Sequence, residues 1–100
     1  MATHDLSFTC NGDMCKPSTI TEQVTDGDTL NLNNNTGGNL TLTFTNSPFQ
    51  SGDKTIHIPV GGTKQETIEL SGTGTFEYTC SSTTCTQSPS FTQPVIQVSE

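Results

Sequence analysis

Tryptophan and arginine are absent from this chain, and lysine occurs only three times. Ten acidic residues are therefore almost unopposed, and the formal charge is −7 at pH 7. Such a surface repels a phosphate backbone, which excludes nucleic acid as a partner. It also disfavours anionic membrane surfaces. No apolar run approaches the ~20 residues a bilayer-spanning helix needs, so no membrane insertion is expected. Nor does any segment sustain the 3.6-residue period of an amphipathic helix. Apolar residues make up only 28% of the 100 positions. That is one small core, too slight for burial alone to hold with much margin. A single domain over residues 1–100 is expected, with 1–4 as an N-terminal extension. Met1-Ala2-Thr3 leads straight into the first strand pattern, as in a mature domain whose targeting segment has been removed.

What the chain has in quantity is alternation. Leu6 and Phe8 alternate with polar residues, as do Leu30 and Leu32, then Leu40, Leu42 and Phe44. The pattern resumes at Ile56, Ile58 and Val60, at Ile68 and Leu70, at Phe76 and Tyr78, and at Ile96 and Val98. A period of two with one apolar face marks a half-buried strand. Threonine, the most frequent residue, fills many outward positions and suits strands through its β-branch. Turn signals separate the runs: Asn11-Gly12-Asp13, Asp26-Gly27-Asp28, Thr36-Gly37-Gly38, Ser51-Gly52-Asp53, Gly61-Gly62 and Gly72-Thr73-Gly74. The expected fold is all-β, an antiparallel Greek-key β-sandwich of about seven to eight strands.

Candidate chemistry outside the cysteines is thin. Glu66 and Glu69 fall on opposite faces of one strand, and Asp26 and Asp28 flank a turn glycine where Asp is an ordinary turn former. A pair of carboxyls facing each other across a cleft, as glycoside hydrolysis requires, is not offered. Asn11-Gly12-Asp13 lacks the further acidic positions of a calcium loop, and no Gly-x-Ser-x-Gly elbow occurs. No catalytic residue is assigned and the chain is not expected to be an enzyme. His4 and His57 read as ordinary exposed histidines, His57 being out of phase with Ile56 and Ile58. Asn34-Asn35-Thr36 and Asn39-Leu40-Thr41 match the glycosylation sequon, as chance allows in a chain this rich in Asn and Thr. Phe49 and Phe91 fall in loops, where each is either an anchor for a partner or a plug over the core edge.

Several segments together resemble a cupredoxin over roughly residues 5–99. Lys16-Pro17-Ser18-Thr19-Ile20-Thr21, Gly27-Asp28-Thr29-Leu30 and Asn33-Asn34 look like the opening of that family. Ile58-Pro59-Val60-Gly61-Gly62, Thr67-Ile68-Glu69-Leu70 and Gly74-Thr75-Phe76-Glu77-Tyr78-Thr79-Cys80 look like its second half. The closing strand 94–99 also fits in position. In that family the cysteine ending the penultimate strand binds copper with two histidines and usually a methionine. The resemblance implies the first histidine after Asn33-Asn34, but 34–40 contains none. It implies the second a few residues past Cys80, where Ser81-Ser82-Thr83-Thr84-Cys85 again has none. Blue-copper chemistry needs one thiolate and two imidazoles. A cupredoxin-like domain without copper, and without any other cofactor, is the resulting expectation.

Four cysteines in so short a chain favour a secreted or periplasmic setting. Strand parity turns Cys10 inward with Leu6 and Phe8, and Cys80 inward with Phe76 and Tyr78. The topology implied by the resemblance brings Cys10, Cys15, Cys80 and Cys85 to one pole. Two disulfides are the expected outcome, and tight hairpin closures favour Cys10–Cys15 and Cys80–Cys85. A tetrathiolate zinc site on the same four is the alternative, against which the CxxxxC spacing argues. A soft Cu(I) site on Cys80 and Met14 is a third. The functional expectation is an extracytoplasmic binding or structural module for an unidentified protein or carbohydrate. The rivals are a cysteine-based metal or redox protein and a carbohydrate-binding or adhesin-like sandwich.

Overall fold

Alternating segments become strands because an extended backbone sends neighbouring side chains to opposite faces, so one row can be buried while the next stays wet. The computed structural model describes residues 2–70, 73–87 and 93–100, and none of these is helical. Nine strands form: β1 (Thr3–Asn11), β2 (Met14–Pro17), β3 (Thr21–Thr25), β4 (Thr29–Asn34), β5 (Leu40–Phe44), β6 (Thr55–Ile58), β7 (Thr63–Thr67), β8 (Gly74–Ser82) and β9 (Val95–Ser99). They lie in two sheets ordered β2-β1-β4-β7 and β3-β9-β8-β5-β6. The all-β sandwich expected from the sequence is the architecture found. Most neighbours are antiparallel, while β1 with β4 and β3 with β9 are parallel.

The apolar rows of both sheets meet in one core. Leu6, Phe8, Leu30, Leu32, Leu40, Leu42, Phe44, Ile56, Ile58, Tyr78, Ile96 and Val98 are all buried. Fully burying one such leucine is worth roughly 1.5–3 kcal/mol against leaving it in water. Ring packing adds direction: Phe44 stands edge-on to Phe49 at 5.2 Å and tilted against Tyr78 at 4.9 Å. Phe49 is thus a plug and not a free anchor, bridging to Ile68 at the core edge. Phe91 lies outside the described residues.

Four positions depart from the sequence pattern. Thr3 and His4, expected in an extension, belong to β1, where they pair with Thr29 and Leu30. Val60 and Leu70, expected to continue the inward rows, are instead exposed by 59% and 58%. Both follow the last ladder residue of their strand, Ile58 and Thr67, so the period no longer governs where they point.

Parallel pairing of β1 and β4 sets up the site. Phe8 lies beside Asn34 in that register, so both strands end at the same pole. Across the sandwich, Leu40 at the start of β5 pairs with Ser82 at the end of β8, and Leu40 also faces Ile58 at the end of β6.

Candidate functional site

The pole is built first from a hairpin. Gly12 sits at φ 62°, the left-handed region that costs a glycine little, and this lets β1 fold back on β2. The register then puts Cys10 opposite Cys15 and Asn11 opposite Met14. Cys10 and Cys15 share the inner face, but they do not bond to each other. Cys10 bonds to Cys85, 75 residues away, with a Cα–Cα separation of 5.7 Å. The expected hairpin pairings Cys10–Cys15 and Cys80–Cys85 are therefore corrected. Paired strand neighbours stand side by side and roughly parallel, so their Cβ bonds do not converge. The Cys85 sulfur, carried on the loop after β8, reaches Cys10 instead.

Cys15 and Cys80 remain as buried thiols. The Cys80 thiol donates to the carbonyl of Cys15 at 3.3 Å, and the Cys15 amide is tied to the carbonyl of Gln87 at 2.6 Å. A hydrogen bond from the Cys80 thiol holds the Cys15 thiol below its ordinary range, while burial pulls the other way. Of the four expected bridge cysteines, two form a bridge and two form a thiol pair. The disulfide removes two of the four thiolates that tetrahedral zinc would need. Met14 alternates with Cys15 on β2, so its side chain leaves the sheet on the other face from the sulfur of Cys15.

Beside the sulfurs lies a polar web that the sequence analysis did not single out. The buried amide of Asn34 donates to the carbonyls of Gly38 at 2.7 Å, Ile58 at 2.9 Å and Pro59 at 3.0 Å. Its oxygen accepts from the Thr36 amide at 3.1 Å and the Thr36 hydroxyl at 2.6 Å. Thr36 and Ser82 hydroxyls touch at 2.8 Å, and the Thr84 hydroxyl donates to the Thr36 carbonyl at 2.8 Å. Gly38 is enclosed by this web. A Cβ there would stand 2.4 Å from the Thr83 hydroxyl oxygen and 2.8 Å from that of Ser82. The signal available in the sequence was the Asn-Asn-x-Thr-Gly-Gly run, in which glycine and a buried amide occur together.

Below the web is Tyr78, packed edge-on to Phe8 with ring centroids 6.2 Å apart. Its hydroxyl is buried without a hydrogen-bond partner, and burial is the main cause pushing the phenol pKa far up. The phenol thus stays neutral and acts as core.

The two histidines lie elsewhere. His57 pairs across the strand with Thr41 and shares a hydrogen bond with its hydroxyl at 3.2 Å on the exposed face. A groove of about 340 Å³ runs past it, lined by Asn39, Leu40, Thr41, His57, Ile58 and Pro59. His4 is at the start of β1 and is not the plain surface histidine expected. Its Nε2 lies 2.7 Å from Asp28 Oδ2, and its Nδ1 lies 4.0 Å from Glu22. Asp28 also accepts from the amides of Ala2 at 2.8 Å and Thr25 at 2.9 Å. Those two backbone bonds, followed by the His4 contact, hold its carboxyl down at about 2. Asp28 is therefore a buried clamp and more than a turn former. Glu66 is likewise buried: one oxygen accepts from Ser51 at 3.0 Å, the other has no partner, and burial raises its pKa. Among the described residues, no three His, Cys, Asp or Glu side chains are placed to hold a metal ion.

The chain matches no family model and no curated relative. Solved structures do resemble it. A purple cupredoxin from Nitrosopumilus maritimus superposes with a TM-score of 0.63 at 13% identity, covering 95% of this chain and 98% of that one. The fold is cupredoxin-like. Amicyanin variants agree: a Cu(I) form gives 0.58 at 20% identity over 84% of this chain and 73% of its own. An oxidised form gives 0.60 at 16% identity over 94% and 81%. In this cupredoxin-like fold, Cys80 lies on the penultimate strand, which runs two residues further than the sequence resemblance implied, to Ser82, and the polar web and the thiol pair share its pole.

Proposed function

We propose that the chain is a copper-free cupredoxin-like domain acting outside the cytoplasm as a binding or structural module and carrying no electrons. The observation that supports this most is the parity of β5. Leu42 is in register with both Cys80 and Ile56, whereas Thr41 is in register with Ser81 and His57. Adjacent rows leave a sheet on opposite faces, so the His57 ring projects away from the face that carries the Cys80 sulfur. His4 is six residues before Cys10 on β1, about 20 Å along the strand. A blue-copper centre needs two imidazoles on the thiolate's side. The side chains around Cys80 are a second thiol, a phenol and hydroxyls, which do not fit that centre, and Gly38 is walled in by Ser82 and Thr83.

The Cys10–Cys85 bridge supports an oxidising compartment. For the partner, the acidic surface and buried aromatics favour a protein over a carbohydrate. Phe8, Phe44, Phe49 and Tyr78 all lie in the core, leaving no row of rings from these residues to stack on sugars. Titration of the purified protein with Cu(II) and Cu(I), followed by absorption and electron paramagnetic resonance after air oxidation, tests the reading. The expected spectrum has no intense visible thiolate-to-copper band. An intense blue or purple band at one copper per chain overturns it.

A further inference from the structure

Cys15 and Cys80 come from opposite sheets, β2 from one and β8 from the other, and meet inside the core. Their 65-residue sequence separation and 3.3 Å sulfur-to-carbonyl contact place two reducing groups side by side in a domain that already holds one disulfide. Four cysteines allow three pairings. With Cys10 committed to Cys85, only one complement remains. We propose that Cys15 and Cys80 close a second disulfide between the sheets, so that the fully oxidised domain carries Cys10–Cys85 and Cys15–Cys80. A Cys80 held in that bridge has no thiolate to offer copper, so the proposal accords with the copper-free reading, while its test reads sulfur linkage and not metal.

The chemistry balances with a small-molecule disulfide such as oxidised glutathione as the oxidant. The Cys15 thiolate attacks one sulfur of the oxidant and releases one thiol. The Cys80 thiolate then attacks the Cys15 sulfur of the mixed disulfide and releases the second. One S–S bond and two S–H bonds become one S–S bond and two S–H bonds, and two electrons pass to the glutathione. The order follows from the environment, since the hydrogen bond from Cys80 favours the Cys15 thiolate. Access follows from the topology. β2 is a four-residue edge strand whose only neighbouring strand is β1, its other side being held by the short bridge to Gln87, and such edges open locally before the sheet does.

The test uses the whole folded domain, treated with oxidised glutathione at mildly alkaline pH, acid-quenched, then alkylated in denaturant. Intact mass and fragment spectra locate each sulfur. The expected result is that both alkylatable thiols vanish together, with a loss of about 2 Da for the two hydrogens, and fragments link Cys15 to Cys80. A second arm takes the C10S/C85S variant, in which the same intramolecular bridge should form in the monomer. The proposal is overturned by two thiols that survive oxidation, by a stable glutathione adduct on either cysteine, or by fragments linking Cys10 to Cys15.

Discussion

The side-chain amide of Asn34 donates to the carbonyl of Gly38 at 2.7 Å, closing the turn that carries the chain from the first sheet to the second. The same amide reaches β6 and the residue after it, so one asparagine ties β4, the turn and β6 together at the sulfur pole. Thr36 adds the link to β8 through the Ser82 hydroxyl and to β1 through the Cys10 sulfur.

Replacing Asn34 with alanine takes the side-chain donor from the buried Ile58 carbonyl and the acceptor from the buried Thr36 amide, while the Gly38 carbonyl keeps the Thr36 hydroxyl. Each such orphan costs about 1–3 kcal/mol, so N34A is expected to lose roughly 3 kcal/mol in denaturant melts. The neighbouring G38A variant forces the Ser82 and Thr83 hydroxyls aside and is expected to lose roughly 1–3 kcal/mol. A G38A midpoint equal to wild type would mean that the web is loose and excludes nothing.

The Cys10–Cys85 bridge spans 75 residues and joins the end of β1 to the loop after β8. In the chain-entropy account, a closure of that length is worth roughly 4 kcal/mol. The C10S/C85S variant should show that loss as a lower urea midpoint, with a slope equal to or steeper than wild type because its unfolded chain is less restrained. Equal midpoints for variant and wild type would show the bridge to be thermodynamically idle.

Stability should also fall in acid through a particular group. Asp28 titrates at about 2 in the folded domain against 3.8 for a free aspartate, so its folded value is depressed. Its contribution is fully present above pH 3.8 and is lost as pH falls toward about 2. Glu22 and Glu66 run oppositely, because burial raises both. Protonating them relieves a cost, so they cannot produce an acid loss. Denaturant midpoints measured from pH 5 to pH 2 should therefore drop in wild type and stay flatter in D28N. Parallel curves would assign the acid sensitivity elsewhere.

Much of this protein was determined by its sequence alone, because strand parity is local. The twofold alternation of Leu6 with Phe8, or Leu40 with Leu42, is enough to place inner rows, and the turn glycines separate them. The inward direction of Cys10 and Cys80 and the outward direction of His57 followed from the same count. The cupredoxin-like order of motifs was legible too, since it depends on which short patterns succeed one another.

Only the tertiary structure decided how the pole is wired. A sulfur's partner depends on the approach of two strands that are far apart in sequence, and neighbouring spacing favoured the hairpin closures that did not form. The web around Asn34, Thr36, Ser82 and Thr84 is equally non-local, with 46 residues between the two hydroxyls that touch at its centre. Asp28 reads as a turn residue until Ala2 and His4 are brought against it by the parallel pairing of β1 with β4. Val60 and Leu70 show the converse, for alternation carries no information once the ladder stops. Parity says which face a side chain leaves by; what it meets there is set by the opposing sheet.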